Sequence, residues 1–315
     1  MKTIWLNQEE KILSPTVATV GVFDGVHYGH QQLIGLVVEK ARLQNLTSVV
    51  ITFDRQPRQI LDPTFQPQVL TTLDEKITVV EGLGVDYFVV LPFTKETAAL
   101  SARSFMQQIL RDQLCVEMLI TGYDHRFGKN RLEGFDDYVR FGRELGMQVY
   151  RGEAVLMDGG QRAISSSVIR GLLLEGKVEL MPSCLTRPYQ LSGKVTQGEQ
   201  IGRCLGFPTA NLVPDDPNKL IPAPGVYAVW ATVEGDNRTW AAMMNIGTRP
   251  TFYGQRQTLE VNLFDFEGNL YGQTVCISFV KHLREEHRFD TPEALITQLQ
   301  EDRRNAKTVL GLKGE

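Results

Sequence analysis

The chain has 315 residues, 42% of them hydrophobic and 22% charged. These ordinary globular proportions exclude a disordered chain and, at roughly 150 residues per domain, point to two domains. Lys plus Arg number 33 and Asp plus Glu 37, a formal net charge of −4, which offers no general basic surface for nucleic acid.

No apolar run approaches the ~20 residues of a membrane-crossing helix, so no membrane partner is expected. Met1–Glu10 lacks the apolar centre of a secretory signal. From Val17 to about Leu174 strand-like and helix-like stretches alternate. Val17–Phe23 reads as a strand and leads through a turn into a helical stretch, Gln31–Gln44, in which Leu33, Val37 and Ala41 recur at helical spacing. Ser48–Phe53 reads as a second strand. Thr72 and Glu75 have the spacing of a capping box. Tyr87–Leu91, Met118–Thr121 and Met147–Val155 read as strands, with helices near Ala102–Arg111 and Asp136–Leu145 between them. This alternation predicts an α/β domain with a parallel sheet covered on both faces, binding ligands beyond the carboxyl ends of its strands.

After Pro182 the texture changes. Tyr189–Val195, Gly225–Val233, Arg238–Asn245, Thr258–Phe264 and Gln273–Val280 are β-rich runs separated by Gly and Pro turns, and Glu267–Gly268–Asn269 is one such turn. They predict an antiparallel barrel or sandwich. A helix closes the chain, with Thr291 as N-cap and Pro292 in its first position. The boundary is expected near Ser183, giving domains 1–183 and 184–315. Cys115, Cys184, Cys204 and Cys276 are widely spaced without a CxxC pair, the pattern of free thiols in a reducing cytoplasm.

The densest chemical signal is Gly21–Val22–Phe23–Asp24–Gly25–Val26–His27–Tyr28–Gly29–His30–Gln31. Two histidines three apart lie where a strand gives way to a helix. Backbone N–H groups and the helix dipole there suit phosphate, and each imidazole can donate a hydrogen bond. Two such histidines also occur as metal ligands or as plain helix-start residues, but no third ligand stands at a familiar spacing. Two further segments follow strand or helix boundaries: Gly122–Tyr123–Asp124–His125–Arg126–Phe127–Gly128, and Ile164–Ser165–Ser166–Ser167–Val168–Ile169–Arg170. Serines at a helix start can act as caps; Arg170, one turn in, adds a charge suited to phosphate oxygens. Loops of one sheet's carboxyl edge would converge on one crevice.

Together GVFDGVHYGHQ, TGYDHRFG and ISSSVIR resemble the adenylyltransferase module of the bacterial bifunctional riboflavin kinase/FAD synthetase family, within the Rossmann-like HxGH nucleotidyltransferases. The resemblance implies that His27 and His30 contact the ATP phosphates and stabilise the transition state. It implies that Arg170, Ser165 and Ser166 hold the β,γ-phosphates, and that Gly21, Phe23, Asp24, Gly25, Gly29, Asp124, Arg126 and Phe127 shape the nucleotide pocket. The chain departs from the family pattern at Val22 (commonly Asn), His125 (commonly Phe) and Arg55–Gln56–Pro57 (often Pro-His-Pro).

In the second region Gly198–Asn211 is Gly-rich and ends in Pro-Thr-Ala-Asn. Such a stretch can be a hairpin loop, or a loop whose N–H groups fold over phosphates. Glu260 and Asn262, two apart in a strand-like run, share a face. GRCLGFPTANL resembles the riboflavin kinase signature. On that resemblance Gly202, Arg203, Gly206, Pro208, Thr209 and Asn211 bind nucleotide, with Thr209 and Asn211 as Mg2+ ligands, and Glu260 is the base. Asn262 stands where the family commonly has His. Arg284 is expected near the site or in a surface salt bridge. The implied enzyme uses ATP and Mg2+ to convert riboflavin to FMN and FMN to FAD. The rivals are a chain active only as the kinase, and a flavin-binding regulator without catalysis.

Overall fold

The computed structural model describes residues 1–6, 11–157, 162–198, 202, 206–251 and 254–312. Contacts divide the chain into two units, Met1–Ser166 and Ser167–Glu315.

The first unit is built on a six-stranded sheet: β1 (Lys2–Trp5), β2 (Thr16–Val20), β3 (Thr47–Phe53), β4 (Tyr87–Leu91), β5 (Val116–Thr121) and β6 (Gln148–Arg151). Their order is β1-β4-β3-β2-β5-β6, and every pairing is parallel. The chain runs outward from β2 through β3 to β4, then restarts on the other side with β5 and β6. The order therefore reverses between β2 and β5, where open α/β sheets bind their ligands. Along β3 and β4 alternate side chains enter opposite cores. Val49, Ile51, Val89 and Leu91 join one, with Phe105, Leu110 and Tyr138, while Val50, Phe88 and Val90 join the other, with Ile34 and Val38. Burial on both faces is why these strands are unbroken apolar runs.

Helix α1 (Tyr28–Gln44) follows β2; α2 (Pro57–Leu61) and α3 (Leu73–Glu81) follow β3; α4 (Lys95–Ala99) and α5 (Ala102–Phe105) follow β4; α6 (Phe135–Leu145) lies between β5 and β6. Thr72 and Glu75 form the expected capping box, with Thr72 N–H donating to Glu75 Oε2 at 3.0 Å and Glu75 N–H to Thr72 Oγ1 at 3.2 Å. The segment expected as one helix over 102–111 passes from α5 into a π-helical stretch, Met106–Arg111.

Two strands are shorter than expected. β2 ends at Val20 because Phe23 adopts a left-handed conformation (φ 49°) that turns the chain out of the sheet. The run expected over 147–155 pairs with β5 only through Gln148–Arg151; the chain then forms a two-stranded ribbon, β7 (Leu156–Met157) with β8 (Arg162–Ala163).

Helix α7 (Ser166–Leu174) and the short α8 (Met181–Leu185) precede the barrel. Residues 167–183 pack within the second unit: Ala223 N–H donates to the Leu173 carbonyl at 3.0 Å, and Gly176 lies against the His282 ring. The barrel comprises β9 (Gln190–Thr196), β10 (Ala210–Pro214), β11 (Gly225–Val233), β12 (Thr239–Thr251), β13 (Gly254–Leu263) and β14 (Thr274–Arg284). It closes in the order β10-β13-β12-β11-β14-β9, entirely antiparallel. Closure leaves no exposed edge strand. The last helix, α9 (Pro292–Val309), begins at Thr291, whose Oγ1 accepts the Ala294 N–H at 3.2 Å. It covers an apolar cluster of Phe207, Ala228, Met243, Phe264 and Ala306.

Candidate active sites

Between β2 and α1 the backbone is strained and held from several sides. Phe23, Gly25 and Val26 all have positive φ (49°, 82° and 39°), a conformation costly for a β-branched valine. Only glycine takes φ 82° without strain, which explains Gly25. Packing and hydrogen bonds maintain this shape. Phe23 and Val26 are buried in the core with Ile34 and Val38. The Asp24 carboxylate is buried and accepts the Leu70 and Thr71 N–H groups at 2.9 and 3.2 Å. Gly25 N–H donates to Thr71 Oγ1 at 3.0 Å, and Gln31 Nε2 to the Val26 carbonyl at 2.9 Å. Asp24 thus anchors the loop to the segment ahead of α3. Gly21 continues the parallel ladder by donating to the Ile51 carbonyl at 3.0 Å.

This loop brings the two histidines together. His27 is the N-cap of α1: its Nδ1 accepts the His30 N–H at 3.3 Å. An accepting Nδ1 puts the proton of the neutral ring on Nε2, so His27 keeps one N–H to give. The His27 and His30 rings stack at 3.5 Å with an interplanar angle of 20°, and Phe23 meets His30 edge-on at 5.2 Å. A β-carbon on Gly29 would stand 3.3 Å from the His27 ring, so that ring lies directly against the first turn of the helix. Burial pushes the His27 pKa down to about 4, against the opposing pull of Asp124. Burial, then His27, Lys76 and His125, hold His30 well below its ordinary value. The site therefore presents two neutral imidazoles at the positive end of a seventeen-residue helix.

Sequence reasoning missed Lys76 on α3. It is 6% exposed, and its ammonium donates to the Val22 carbonyl at 2.7 Å and Thr52 Oγ1 at 3.3 Å, tying the loop to β3. Burial lowers its pKa to about 8, against the pull of Asp24. The available signal was a lysine four residues before Val80 on the buried face of α3.

The loop after β5 carries His125 beside an exposed Asp124 and Arg126. Phe127 belongs to the core: it stacks on Tyr138 at 4.2 Å and contacts Phe105 at 5.4 Å, and its N–H is bound by the Tyr138 hydroxyl at 2.9 Å. At the start of α7 the Ser166 hydroxyl donates to the Asp24 carbonyl at 2.8 Å, joining the serine segment to the histidine loop. Ser165 is half-buried beside it, and Arg170 is half-buried one turn along α7.

The barrel site rests on strand register. Asn211 of β10 stands directly opposite Glu260 of β13, which stands opposite Asn245 of β12. Facing residues of an antiparallel sheet project from the same face, so these three form one polar row. Thr209 lies two residues before Asn211, just ahead of β10. A β-carbon on Gly202 would strike the Phe207 carbonyl and stand 3.2 Å from Thr209 Oγ1, so the backbone at Gly202 lies close against Thr209. Gly206 takes φ 82° at the exposed turn before Phe207. Arg203 lies outside the described residues. Asn262 Nδ2 donates to the Pro208 carbonyl at 2.7 Å, pinning the segment that leads into β10. Sequence reasoning had placed Asn262 beside Glu260 without seeing this bond.

Arg284 turns towards α9. Its guanidinium grips Asp302, with Nε–Oδ1 at 2.9 Å and Nη2–Oδ2 at 2.7 Å, and Nη1 donates to the Glu285 carbonyl at 2.9 Å. Of the two expectations for this residue, the ion pair is the one seen; it is largely buried, with the Asp302 side chain 2% exposed, rather than on the surface.

A parallel sheet with paired imidazoles at its switch point, followed by a closed barrel with an Asn/Glu/Asn row, defines a nucleotidyltransferase region and a kinase region. Residues 9–168 match the family model for FAD synthetase, and residues 185–310 the model for riboflavin kinase. The chain is 38% identical over 296 residues to the bifunctional riboflavin kinase/FMN adenylyltransferase of Escherichia coli K12, covering 94% of this chain and 93% of that one. It is 34% identical over 317 residues to the protein of the same name from Bacillus subtilis, covering 97% of each. A crystal structure titled a macrolide-efflux protein from Streptococcus pneumoniae superposes with TM-score 0.89 at 30% identity, covering 97% of this chain and 98% of that one. The chain belongs to the bifunctional riboflavin kinase/FMN adenylyltransferase family. Among the described residues no helix is long and apolar enough to cross a membrane.

Proposed function

We propose that the barrel phosphorylates riboflavin to FMN and the first region adenylylates FMN to FAD, with the junction between the two near Ser183. The second matched region begins at 185, two residues after Ser183, and the first ends at 168. The observation that carries the chemistry is the contrast between the sites: stacked neutral imidazoles in one, a carboxylate on an ordered strand in the other.

In adenylyl transfer an FMN phosphate oxygen attacks the α-phosphorus of ATP, and pyrophosphate leaves. The nucleophile is already an anion at neutral pH, so no base is required, and catalysis consists of alignment and charge stabilisation. His27, through Nε2–H, and His30 bind the phosphates where charge accumulates. Backbone N–H groups at the start of α1 add to them, and Ser165, Ser166 and Arg170 hold the departing pyrophosphate. Phe23, Gly25 and Gly29 keep the loop in the shape this needs, and Asp124 and Arg126 border the crevice.

In the kinase the nucleophile is an alcohol, and here a base is needed. Glu260 takes the proton of riboflavin's terminal ribityl hydroxyl as that oxygen attacks the γ-phosphorus of ATP, and ADP leaves. The hydroxyl of Thr209 and the amide oxygen of Asn211, which stands on the face of Glu260, are the hard oxygen donors that Mg2+ accepts. Bound there, Mg2+ would neutralise charge on the nucleotide phosphates. Gly202, Gly206 and Pro208 lie against the nucleotide, and Arg203 is assigned to it from the sequence motif alone. ATP as the common substrate supports a cytoplasmic site of action.

Chromatography of products tests this directly. With ATP and Mg2+, the protein is expected to yield FMN and FAD from riboflavin and FAD from supplied FMN. Glu260→Gln should cut FMN formation by about 10²- to 10⁴-fold, the usual worth of a general base, while sparing FAD formation from FMN. His30→Ala should do the converse. A protein that makes FMN but no FAD from supplied FMN would be a kinase alone.

A further inference from the structure

The loop after β5 holds a third imidazole that neither reaction above uses. His125 Nε2 is fully buried and has no hydrogen-bond partner among the described residues. A buried polar atom without a partner costs about 1–3 kcal/mol. Such an atom in a folded protein calls for an explanation, and one explanation is a ligand that supplies the partner.

The position of His125 identifies that ligand. β2 and β5 are the adjacent strands between which the sheet order reverses, so the loops that follow them flank the same crevice. His27 and His30 come from one loop, His125 from the other. The two sides interact, since His125 is among the groups that depress the protonation of His30. The ring is held in place. The His125 backbone N–H donates to the Gly122 carbonyl at 3.3 Å, and a β-carbon on Gly122 would lie 3.5 Å from His125 Cβ and 3.8 Å from Leu33 of α1. On its other side Phe127 lies 6.0 Å away, itself fixed in the core. The charged groups acting on His125 are Arg131 and Asp124, both from its own connection. His30 Nδ1 is likewise buried without a partner. With the proton on these nitrogens both rings would be donors, and a phosphate ester, rich in acceptors and poor in donors, is the kind of ligand that accepts from both.

We propose that His125 is a further substrate-binding residue of the adenylyltransferase site, its Nε2–H donating a hydrogen bond to a phosphate oxygen of the bound substrates opposite His27 and His30. The inference rests on the adenylyl-transfer reading of this site and extends it to a residue outside the His-x-Gly-His segment. The phosphate belongs either to ATP or to FMN, and kinetics separates the two.

The test is steady-state FAD formation from supplied FMN by the full-length protein, with riboflavin phosphorylation as internal control. His125→Phe keeps the ring and removes both nitrogens. It is expected to lower kcat/KM for FAD formation ten- to a hundred-fold, to leave FMN formation from riboflavin within two-fold of wild type, and to leave the melting temperature equal or higher. His125→Asn, which retains an N–H donor, should recover part of the loss. A raised KM for ATP puts the contact on the triphosphate, and a raised KM for FMN puts it on the flavin's phosphate. His125→Phe with wild-type kcat/KM for both substrates would overturn the proposal. So would equal losses in the Phe and Asn variants accompanied by a lowered melting temperature, the mark of a purely structural ring. Wild-type protein that made FMN but no FAD would overturn the site reading as a whole, a result distinct from either.

Discussion

The two catalytic regions solve opposite problems. The first must grip a polyanion without needing to remove a proton, and it is assembled from loops. Its backbone is strained at Phe23 and Val26 and its imidazoles are kept neutral by burial. The barrel must deprotonate an alcohol, and it sets its carboxylate on regular strands, where register alone places Glu260 between Asn211 and Asn245. The difference shows why a loop site needs so many anchors. Thr71, Lys76, Gln31 and Ser166 all bind the backbone of one short segment, and the Asp24 carboxylate of that segment holds the Leu70 N–H in turn. The strand site is held by its ladder, with Asn262 on Pro208 as a comparable strut.

Acid should separate the two regions most strongly. His27 and His125 both have pKa values lowered to about 4, so between pH 6.5 and 4 the unfolded chain binds protons that the folded one refuses. Stability is then complete above pH 6.5 and lost as pH falls towards 4. At about 1.4 kcal/mol per pKa unit, each histidine withdraws roughly 3 kcal/mol. Hydrogen exchange at pH 7 and pH 4.5 should show protection falling in β2, β3 and α1 well before it falls in the barrel. Equal loss in both would mean that the buried imidazoles do not govern acid sensitivity.

The converse perturbation strikes the barrel. Asp302→Ala strands the largely buried guanidinium of Arg284 and is expected to destabilise that region by about 3–5 kcal/mol. Riboflavin phosphorylation should lose heat resistance, while FAD formation from FMN at low temperature stays near wild type. The smallest effect is expected from Lys76→Met, which preserves the bulk of the side chain and removes its bond to Val22. Loosening one anchor among several should lower FAD formation about ten-fold, with stability changed by only about 1 kcal/mol and the kinase unaffected. An unchanged rate would remove Lys76 from the positioning of the loop.

Much of this was legible from residues alone. The alternation of apolar runs specified a parallel sheet, and the capping box at Thr72 and the N-cap at Thr291 formed as expected, because caps and periodicity depend on neighbours a few positions apart. Gly225–Val233 is a strand over the expected span. Strands with weaker patterns were not legible. Lys2–Trp5 and Ala210–Pro214 are short and find their place only by pairing with β4 and with β9 and β13. The end of β2 at Val20 likewise escaped local reading, since the left-handed turn at Phe23 is stabilised by a core that lies elsewhere in the sequence.

The amino-acid sequence by itself determined the two architectures and the chemistry-bearing types: histidines at a strand–helix junction, and a Thr-x-Asn segment with a distant glutamate. Tertiary structure decided which of those groups are free to act. It committed Asp24 to Leu70 and Thr71, Phe127 to the core and Arg284 to Asp302, and it left nitrogens of His30 and His125 buried without partners among the described residues. The physical reason is that side-chain type and spacing are local properties, whereas desolvation and hydrogen-bond satisfaction depend on what the rest of the chain brings within a few ångströms.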